Sequence, residues 1–403
     1  MRYDVIVSGG GPIGCAVARD IAGAGYSTLV LEEHRRIGEP VQCAGIVSPR
    51  TLDLARVSPG VVLQALHGMR VHSPLATTLE LAGRRIYALV VDRSRFDREL
   101  AGQALAAGAE IRCGLRLRDA VRVPGGIRVT AGHGTKEEEF CCRLLIGADG
   151  QGSTVAARFG LDGPVERVPM YAAEVELSGL SRPLMEVFLG NGVAPGWFGW
   201  VVPAGEGRAR VGTGVAKGGY PRPKAVFDLM RQRHSGLLGD MKVVRSTGGL
   251  VPIGFRTRTC AERVMLVGDA ACQVKPVSGG GLYLGLKGAA HCAGVAVQAL
   301  NRDRLADLSA YQRAWEADTG EEIRSGLKHR RVFLGFSDRD MEFLLRFLNK
   351  PYWQKTILRH GDIDHPSRVA ERLSLAGPWA EKFAPVGLGL IRGYAALAEL
   401  LPG

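Results

Sequence analysis

Six residues near the start of the chain, Gly9-Gly10-Gly11-Pro12-Ile13-Gly14, have the types and spacing that hold a pyrophosphate. Gly9 allows a tight turn, Gly11 lets a phosphate approach the backbone, and Gly14 lets a helix pack closely on the preceding strand. A helix N-terminus adds free N–H groups and partial positive charge facing the phosphates. The elements that would position this loop can be read around it: Tyr3–Ser8 as a buried strand, Ile13–Ala24 as a helix, Ser27–Leu31 as a second strand. The second strand ends at Glu32, 23 residues after Gly9, where a carboxylate can bond ribose hydroxyls, and Glu33 adjoins it. An acid there disfavours a 2′-phosphate, so the motif points to FAD or NAD and away from NADP. The bland reading is a structural turn, and the strand, helix and acid together outweigh it.

A second glycine loop follows more than 250 residues later, in VGDAACQVKPVSGGG, Val267 to Gly281. Arg263–Val267 reads as another buried strand, with Gly268 and Asp269 at its carboxyl end. An aspartate flanked by Leu266, Val267, Ala270 and Ala271 needs hydrogen-bonding partners. Capping a helix is the bland use of such an acid. Yet Pro276 and Gly279-Gly280-Gly281 come next, and Leu282 opens a small-residue helix to Leu300. A second helix N-terminus is thereby aimed at something anionic or electron-rich. A flavin supplies both partners: ribityl and phosphate oxygens for Asp269, and the N1–C2 carbonyl edge for the amides of Gly279–Gly281.

Composition agrees with tight loops around a ligand. Glycine accounts for 55 of 403 residues, about twice its average use, and clusters before predicted helices without forming repeats. The net charge of +12 is uneven: Gly205–Lys275 holds 13 basic and 5 acidic residues. That basic middle suits an anionic substrate, an anionic membrane surface or simply a solvated face; nucleic-acid binding has no motif support. The eight cysteines form no C-x-x-C and no zinc-type Cys/His spacing, so no metal is expected. Cys15, Cys272 and Cys292 sit in apolar, small-residue surroundings typical of packed interior. The chain opens MRYDVIV, directly into a strand, which predicts no signal peptide and a reducing cytoplasm, with peripheral membrane contact left open. Val187–Gly205 is free of charge, but its five glycines and two prolines do not suit a membrane-spanning helix.

Leu145-Ile146-Gly147-Ala148-Asp149-Gly150 is a strand ending in Asp-Gly, followed by Ser153; alone, Asp149-Gly150 is a turn. In order, GGGPIG, GADG and VGDAA resemble the glutathione-reductase-type flavoproteins of the hydroxylase branch, and Arg93 in VDRSRFDREL matches that branch's flavin-contacting arginine. The finer resemblance, over nearly the whole chain, is to the geranylgeranyl reductase family. It rests on IGEPVQCAGIVS (Ile37–Ser48), which is similar to a Pro-x-x-Cys-x-Gly region beside the flavin, and on APGWFGWVVP (Ala194–Pro203), which is similar to a Tyr-x-Trp-x-Phe-Pro substrate motif. GGLVPIG, KPVSGGGLYLGLKGA and FSDRDMEFLLRFL also fit. There are departures: Phe198 replaces the tyrosine, Val202 the phenylalanine, and Ala44 a frequent glycine. The archaeal type, which saturates isoprenoid chains of ether phospholipids, is nearest in wording.

The resemblance implies FAD bound by the two loops together with Cys43, Ala44, Gly45, Arg93 and Asp149. It also implies an isoprenoid lipid or prenyl diphosphate as substrate. The reductant is left as NAD(P)H or reduced ferredoxin, since no second G-x-G-x-x-G has strand and helix context. An isolated trisubstituted alkene has no carbonyl to accept charge. Protonation at its less substituted carbon develops tertiary carbocation character, which a hydride quenches. Such a site is apolar, aromatic-lined and dry, with one proton donor. Trp197, Phe198, Trp200 and Pro203 are the candidate wall; as strand neighbours, Trp197 and Phe198 would point to opposite sides. A packed sheet core is the equal alternative for these rings. Cys43 is the candidate for tuning flavin reactivity or protonation, against a default of small packed residue. Arg256 and Lys275 are candidates for an anionic head group.

The fold expected is α/β: a glutathione-reductase-type FAD-binding Rossmann fold with an antiparallel substrate-binding sheet and a helical C-terminal region. The FAD domain would comprise 1–65, 93–165 and 250–300, the sheet domain 66–92 and 166–249, and the helical part 301–403. Two rivals share the fold: a flavin monooxygenase or halogenase, and a non-catalytic prenyl-lipid carrier. The substrate-side motifs argue against the first, and the intact flavin motifs against the second.

Overall fold

The computed structural model describes residues 2–369 apart from 162, 164–165, 181, 206 and 217–220. Its first sheet places the strands Cys260–Ala261, Val264–Leu266, Lys136–Gly147, Arg2–Ser8, Thr28–Glu32 and Glu110–Cys113 side by side in that order. The four central pairings, from Val264–Leu266 across to Glu110–Cys113, are parallel. Alternation along Arg2–Ser8 explains its two faces. Val5 and Val7 meet the helices Pro12–Ala22, Arg93–Ala106 and Leu282–Asn301. Ile6 faces the other way, into a cluster with Leu117, Ile127 and Val129 from the hairpin Arg116–Val123/Gly126–His133. Buried on both sides, the central strands read as continuous apolar runs. Cys15, Cys272 and Cys292 are all buried, as their surroundings suggest.

The second sheet has seven strands in the order Lys242–Ile253, Glu166–Glu176, Arg208–Gly214, Gly199–Pro203, Met185–Phe188, Gly68–His72 and Thr78–Ala82. It is antiparallel except between Met185–Phe188 and Gly68–His72, which run parallel. That junction joins two chain segments separated by an excursion through the first sheet, so no hairpin fixes their direction. One face is covered by the helix Pro223–Arg233 and encloses Val175, Val201 and Val211 with Phe227 and Met230. The opposite face carries Val168, Trp200, Val202 and Ile253. The sheet runs four residues past the boundary at 249, because Leu250–Ile253 still pairs with Glu166–Pro169. Ala88–Val91 belongs elsewhere too: it joins Ile46–Val47 and Val62–Leu66 in a three-stranded sheet between the two larger ones.

The helices Ser309–Trp315, Glu321–Gly335, Asp338–Leu348 and Pro351–His360 complete the described chain, while 370–403 of the expected helical region lies outside the described residues. Ser337 and Asp340 form a capping box at the start of Asp338–Leu348. Glu342 on that helix accepts from the hydroxyls of Ser73 and Thr77, anchoring the helix to the second sheet. Among the described residues no helix is long and apolar enough to cross a membrane.

Candidate active site

Both glycine loops sit at the carboxyl ends of parallel strands, where a ligand can reach helix N-termini. Gly9 adopts φ +106°, and a Cβ there would stand 2.2 Å from the carbonyl oxygen of Ala148. A Cβ on Gly14 would stand 2.0 Å from Gly9 O. At Gly11 a Cβ would meet nothing within 4 Å, so this one glycine faces open space and not protein. Gly11 also caps the helix Pro12–Ala22 with no side-chain acceptor on its first N–H groups. Glu32 is buried at the strand end; it accepts from Gly10 N at 2.7 Å and from His34 N at 2.8 Å. Its carboxylate thus ties the loop to the end of the second strand.

Asp149 spends its carboxylate on its own helix, accepting from Ser153 Oγ at 2.6 Å and Val155 N at 3.1 Å. The GADG segment acts on the first loop through its backbone, Ala148 lying against Gly9. Arg93 donates Nε and Nη2 to the two oxygens of Asp97, both at 3.0 Å. Asp97 was missed, although its i,i+4 spacing from Arg93 made it visible.

Asp269 differs from both. Its side chain is exposed, yet it stands so deep in the protein that burial pushes its carboxyl upward, with Arg93 pulling it back. It lines a recess, and none of the described residues donates a hydrogen bond to its carboxylate. A Cβ on Gly281 would stand 2.8 Å from Asp269 Oδ1, and Gly279 takes φ +71°. Gly281 caps the twenty-residue helix Leu282–Asn301, again without a side-chain acceptor. Pro276 turns away from the recess and packs against the helix Glu321–Gly335, since a Cβ on Gly326 would meet it at 2.7 Å. An unsatisfied carboxylate, two uncapped helix N-termini and an open approach at Gly11 fit the phosphates and polyol of FAD.

Cys43 is exposed on the same side, with its Sγ accepting from Gly45 N at 3.3 Å and lying against Arg93. Ala44 and Ile46 border a cluster containing Trp197, Trp200, Val202 and Val274. The structure corrects the alternation expected of the aromatic run. The strand begins only at Gly199, so Trp197 and Phe198 precede it and stack side by side, 5.3 Å apart at 14°. Phe198 meets Trp200 edge-on at 5.9 Å. Gly212 and Gly214, alternate residues on the neighbouring strand, lie beneath Trp200 and Trp197 where any Cβ would clash. Trp197 also reaches the second loop, its ring 3.2 Å from a Cβ placed on Gly279, and it carries Arg330 at 4.7 Å over its face. All three rings therefore belong to one cluster, and with Trp197 only 1% and Trp200 9% exposed it is packed as the sheet core that is the alternative reading for these rings. Pro203 is buried at the far end of the strand, paired with Ala209, three residues beyond Trp200.

Arg256 and Lys275 do not form the expected anion-facing pair. Lys275 is 5% exposed, donates to Ile363 O at 2.6 Å and stands 3.5 Å from Asp364. Arg256 is 3% exposed, donates to Leu161 O at 3.3 Å and lies against Cys272. Flanking a loop in sequence does not decide direction: Arg256 turns to Leu161 O, and Lys275 to Ile363 O and Asp364. Among the described residues no cluster of His, Cys, Asp or Glu could hold a metal.

Two glycine loops at the strand ends, the exposed carboxylate of Asp269 between them and an apolar aromatic cluster beside the second define an FAD-dependent oxidoreductase. Residues 2–312 match the family described as FAD binding domain. A digeranylgeranylglycerophospholipid reductase of Methanothermobacter thermautotrophicus is 31% identical over 359 residues, covering 86% of this chain and 92% of the relative. A geranylgeranyl bacteriochlorophyll reductase-like protein from Thermoplasma acidophilum shares the fold with a TM-score of 0.80 at 23% identity, over 93% of this chain and 98% of that one. A flavin-dependent brominase superposes with a TM-score of 0.71 at 15% identity, over 95% and 100%. The chain belongs to the geranylgeranyl reductase family of FAD-dependent oxidoreductases.

Proposed function

We propose that this protein reduces the C=C bonds of geranylgeranyl chains carried by a membrane-lipid precursor, with FAD as cofactor. The observation that carries the reading is the aromatic cluster of Trp197, Phe198 and Trp200, which packs with Ala44 and Ile46 of the cysteine loop and reaches Gly279 of the flavin-type loop through Trp197. Relatives whose names specify digeranylgeranylglycerophospholipid support the choice of head group. FAD supplies the hydride when bound, and the other tasks fall to the chain. Gly9, Gly11 and Gly14 with Glu32 hold the dinucleotide, and Asp269 with the amides of Gly279–Gly281 hold its ribityl and ring end. The aromatic wall excludes water and favours cationic character on the alkene. Cys43, on the loop that borders this cluster, holds a proton at Sγ. Electrons come from NAD(P)H or reduced ferredoxin. The lipid arrives from a membrane surface, and the helices Asp338–Leu348 and Pro351–His360 expose Phe343 and Tyr352 beside Arg346 and Lys350 to meet it.

Anaerobic mixing of the reduced protein with a geranylgeranyl glycerophospholipid tests this directly. Flavin reoxidation with a product two mass units heavier is the expected result; a flavin that stays reduced until oxygen enters favours a monooxygenase or halogenase. Cys43→Ala is expected to keep FAD and to slow alkene reduction by about 10²-fold, the range of a lost general acid. Single-turnover reoxidation measures this, and an unchanged rate removes Cys43 from the chemistry.

A further inference from the structure

Two guanidinium groups approach the loop that carries Cys43, and the protein treats them differently. Arg93 has its carboxylate, Asp97, at 3.0 Å. Arg210, which the sequence reading passed over, comes from the opposite sheet and is 9% exposed. Its Nη1 donates to Ala44 O at 2.8 Å and to Val91 O at 2.9 Å, joining the substrate-side sheet to the loop that carries Cys43. Gly45, at φ +73°, makes this approach possible: a Cβ there would lie 2.1 Å from Nη1. No carboxylate stands within ion-pair distance of Arg210 among the described residues. The acids that act on it at longer range are committed elsewhere. Asp92 caps the helix Arg93–Ala106, and Glu174 accepts from Arg208 at 3.3 Å and Arg245 at 3.0 Å. Asp269 interacts with Arg93. Arg210 thus brings a buried positive charge with no counter-ion to the Cys43 loop, and Cys43 is among the groups that feel it. Burying such a charge is costly where nothing balances it, and the two carbonyls alone do not.

We propose that Arg210 is the positioning residue of this site: it fixes the Cys43–Gly45 loop through Ala44 and Val91, and its uncompensated charge raises the reactivity of the Cys43 sulfur. The proposal deepens the reading of Cys43 given above and rests on it for its link to catalysis, but not for its test. A neighbouring cation favours the thiolate, which is the form that reacts with alkylating agents.

The flavin-loaded full-length protein is treated with iodoacetamide at neutral pH, and peptide masses give the modification rate of Cys43 relative to Cys113, an exposed thiol on the strand Glu110–Cys113 of the first sheet. Arg210→Met is expected to slow Cys43 relative to Cys113 by about fivefold, and Arg210→Lys to recover most of that loss. A residue that served only as a strut would loosen the loop on removal and leave Cys43 equally or more reactive; that result overturns the proposal. Should Arg210→Met lose flavin or fail to fold, Arg210→Gln takes its place, keeping a donor for the carbonyls without the charge, and the same slowing is expected. Alkylation needs no prenyl substrate. A slowed Cys43 in a protein that reduces no alkene therefore overturns the proposed function alone.

Discussion

Gly9→Ala is expected to yield colourless protein with a strongly lowered melting temperature, whereas Gly11→Ala is expected to fold normally and lose FAD. The two glycines are neighbours in one motif, yet they face different things. At Gly9 the backbone stands at φ +106°, which costs a residue with a Cβ about 1–2 kcal/mol. The new methyl would also lie 2.2 Å from Ala148 O, a backbone atom that moves only if the strand end moves with it. Overpacking of this kind costs a further ~1–3 kcal/mol, against a total stability of roughly 5–15 kcal/mol. Gly11 has φ −66° and ψ 176°, comfortable for alanine, and its Cβ would touch no protein atom within 4 Å. The added methyl therefore leaves the FAD-free fold unchanged or slightly firmer and fills the space through which a pyrophosphate approaches the backbone. Flavin-to-protein ratios after purification, with melting curves taken without FAD, separate the two effects. Equal loss of stability in both variants would mean that the loop serves the fold alone.

The parts of this molecule that were legible in the sequence are those where local chemistry and long-range position agree. Buried parallel strands announce themselves as apolar runs, and the glycines between strand and helix mark where the chain must turn. Glu32 and Asp269 were legible because a carboxylate at a strand end or in an apolar stretch requires a partner. What was not legible depended on direction. Lys275 and Arg256 stand beside the second loop in sequence, but their side chains point inward to Ile363 and Leu161, partners 88 and 95 residues away. The pairing of Trp197 with Phe198 depended on where the strand starts, and a shift of that boundary by two residues changes opposition into stacking. Arg210 had a signal that went unread. In RARVGTG it shares a face with Gly212 and Gly214, so one arginine stands in line with two positions kept free of side chains for Trp200 and Trp197. An arginine on the face that makes room for buried rings is unexpected unless it has a task there.

Asp269→Asn is expected to produce a crossing of melting curves: more stable than the natural protein without FAD, less stable in excess FAD. Burial raises the folded-state pKa of Asp269 above its unfolded value, with Arg93 opposing. A raised carboxyl means that the folded state holds its proton more tightly than the unfolded chain does. Stability contributed by this group is therefore present at low pH, and it is lost as pH rises from the ordinary carboxylate range through the raised folded value. At neutral pH the ionised carboxylate, without a hydrogen-bond donor among the described residues, works against the fold. Asparagine removes that charge at nearly constant volume, so the FAD-free variant should melt higher, and its stability should fall less as pH rises through the acid range. With FAD the balance reverses. A hydrogen bond to a charged acceptor contributes about 1.5–3 kcal/mol, so the variant should bind FAD roughly 10- to 100-fold more weakly, and ligand stabilisation shrinks with affinity. Melting curves with and without FAD, together with a fluorescence titration of flavin release, measure both halves. An affinity for FAD equal to that of the natural protein would remove Asp269 from the cofactor site. A melting temperature lowered in the absence of FAD would mean that its charge is satisfied within the protein. The two-loop grip on the flavin therefore predicts an acid that the protein keeps at a cost to its own stability.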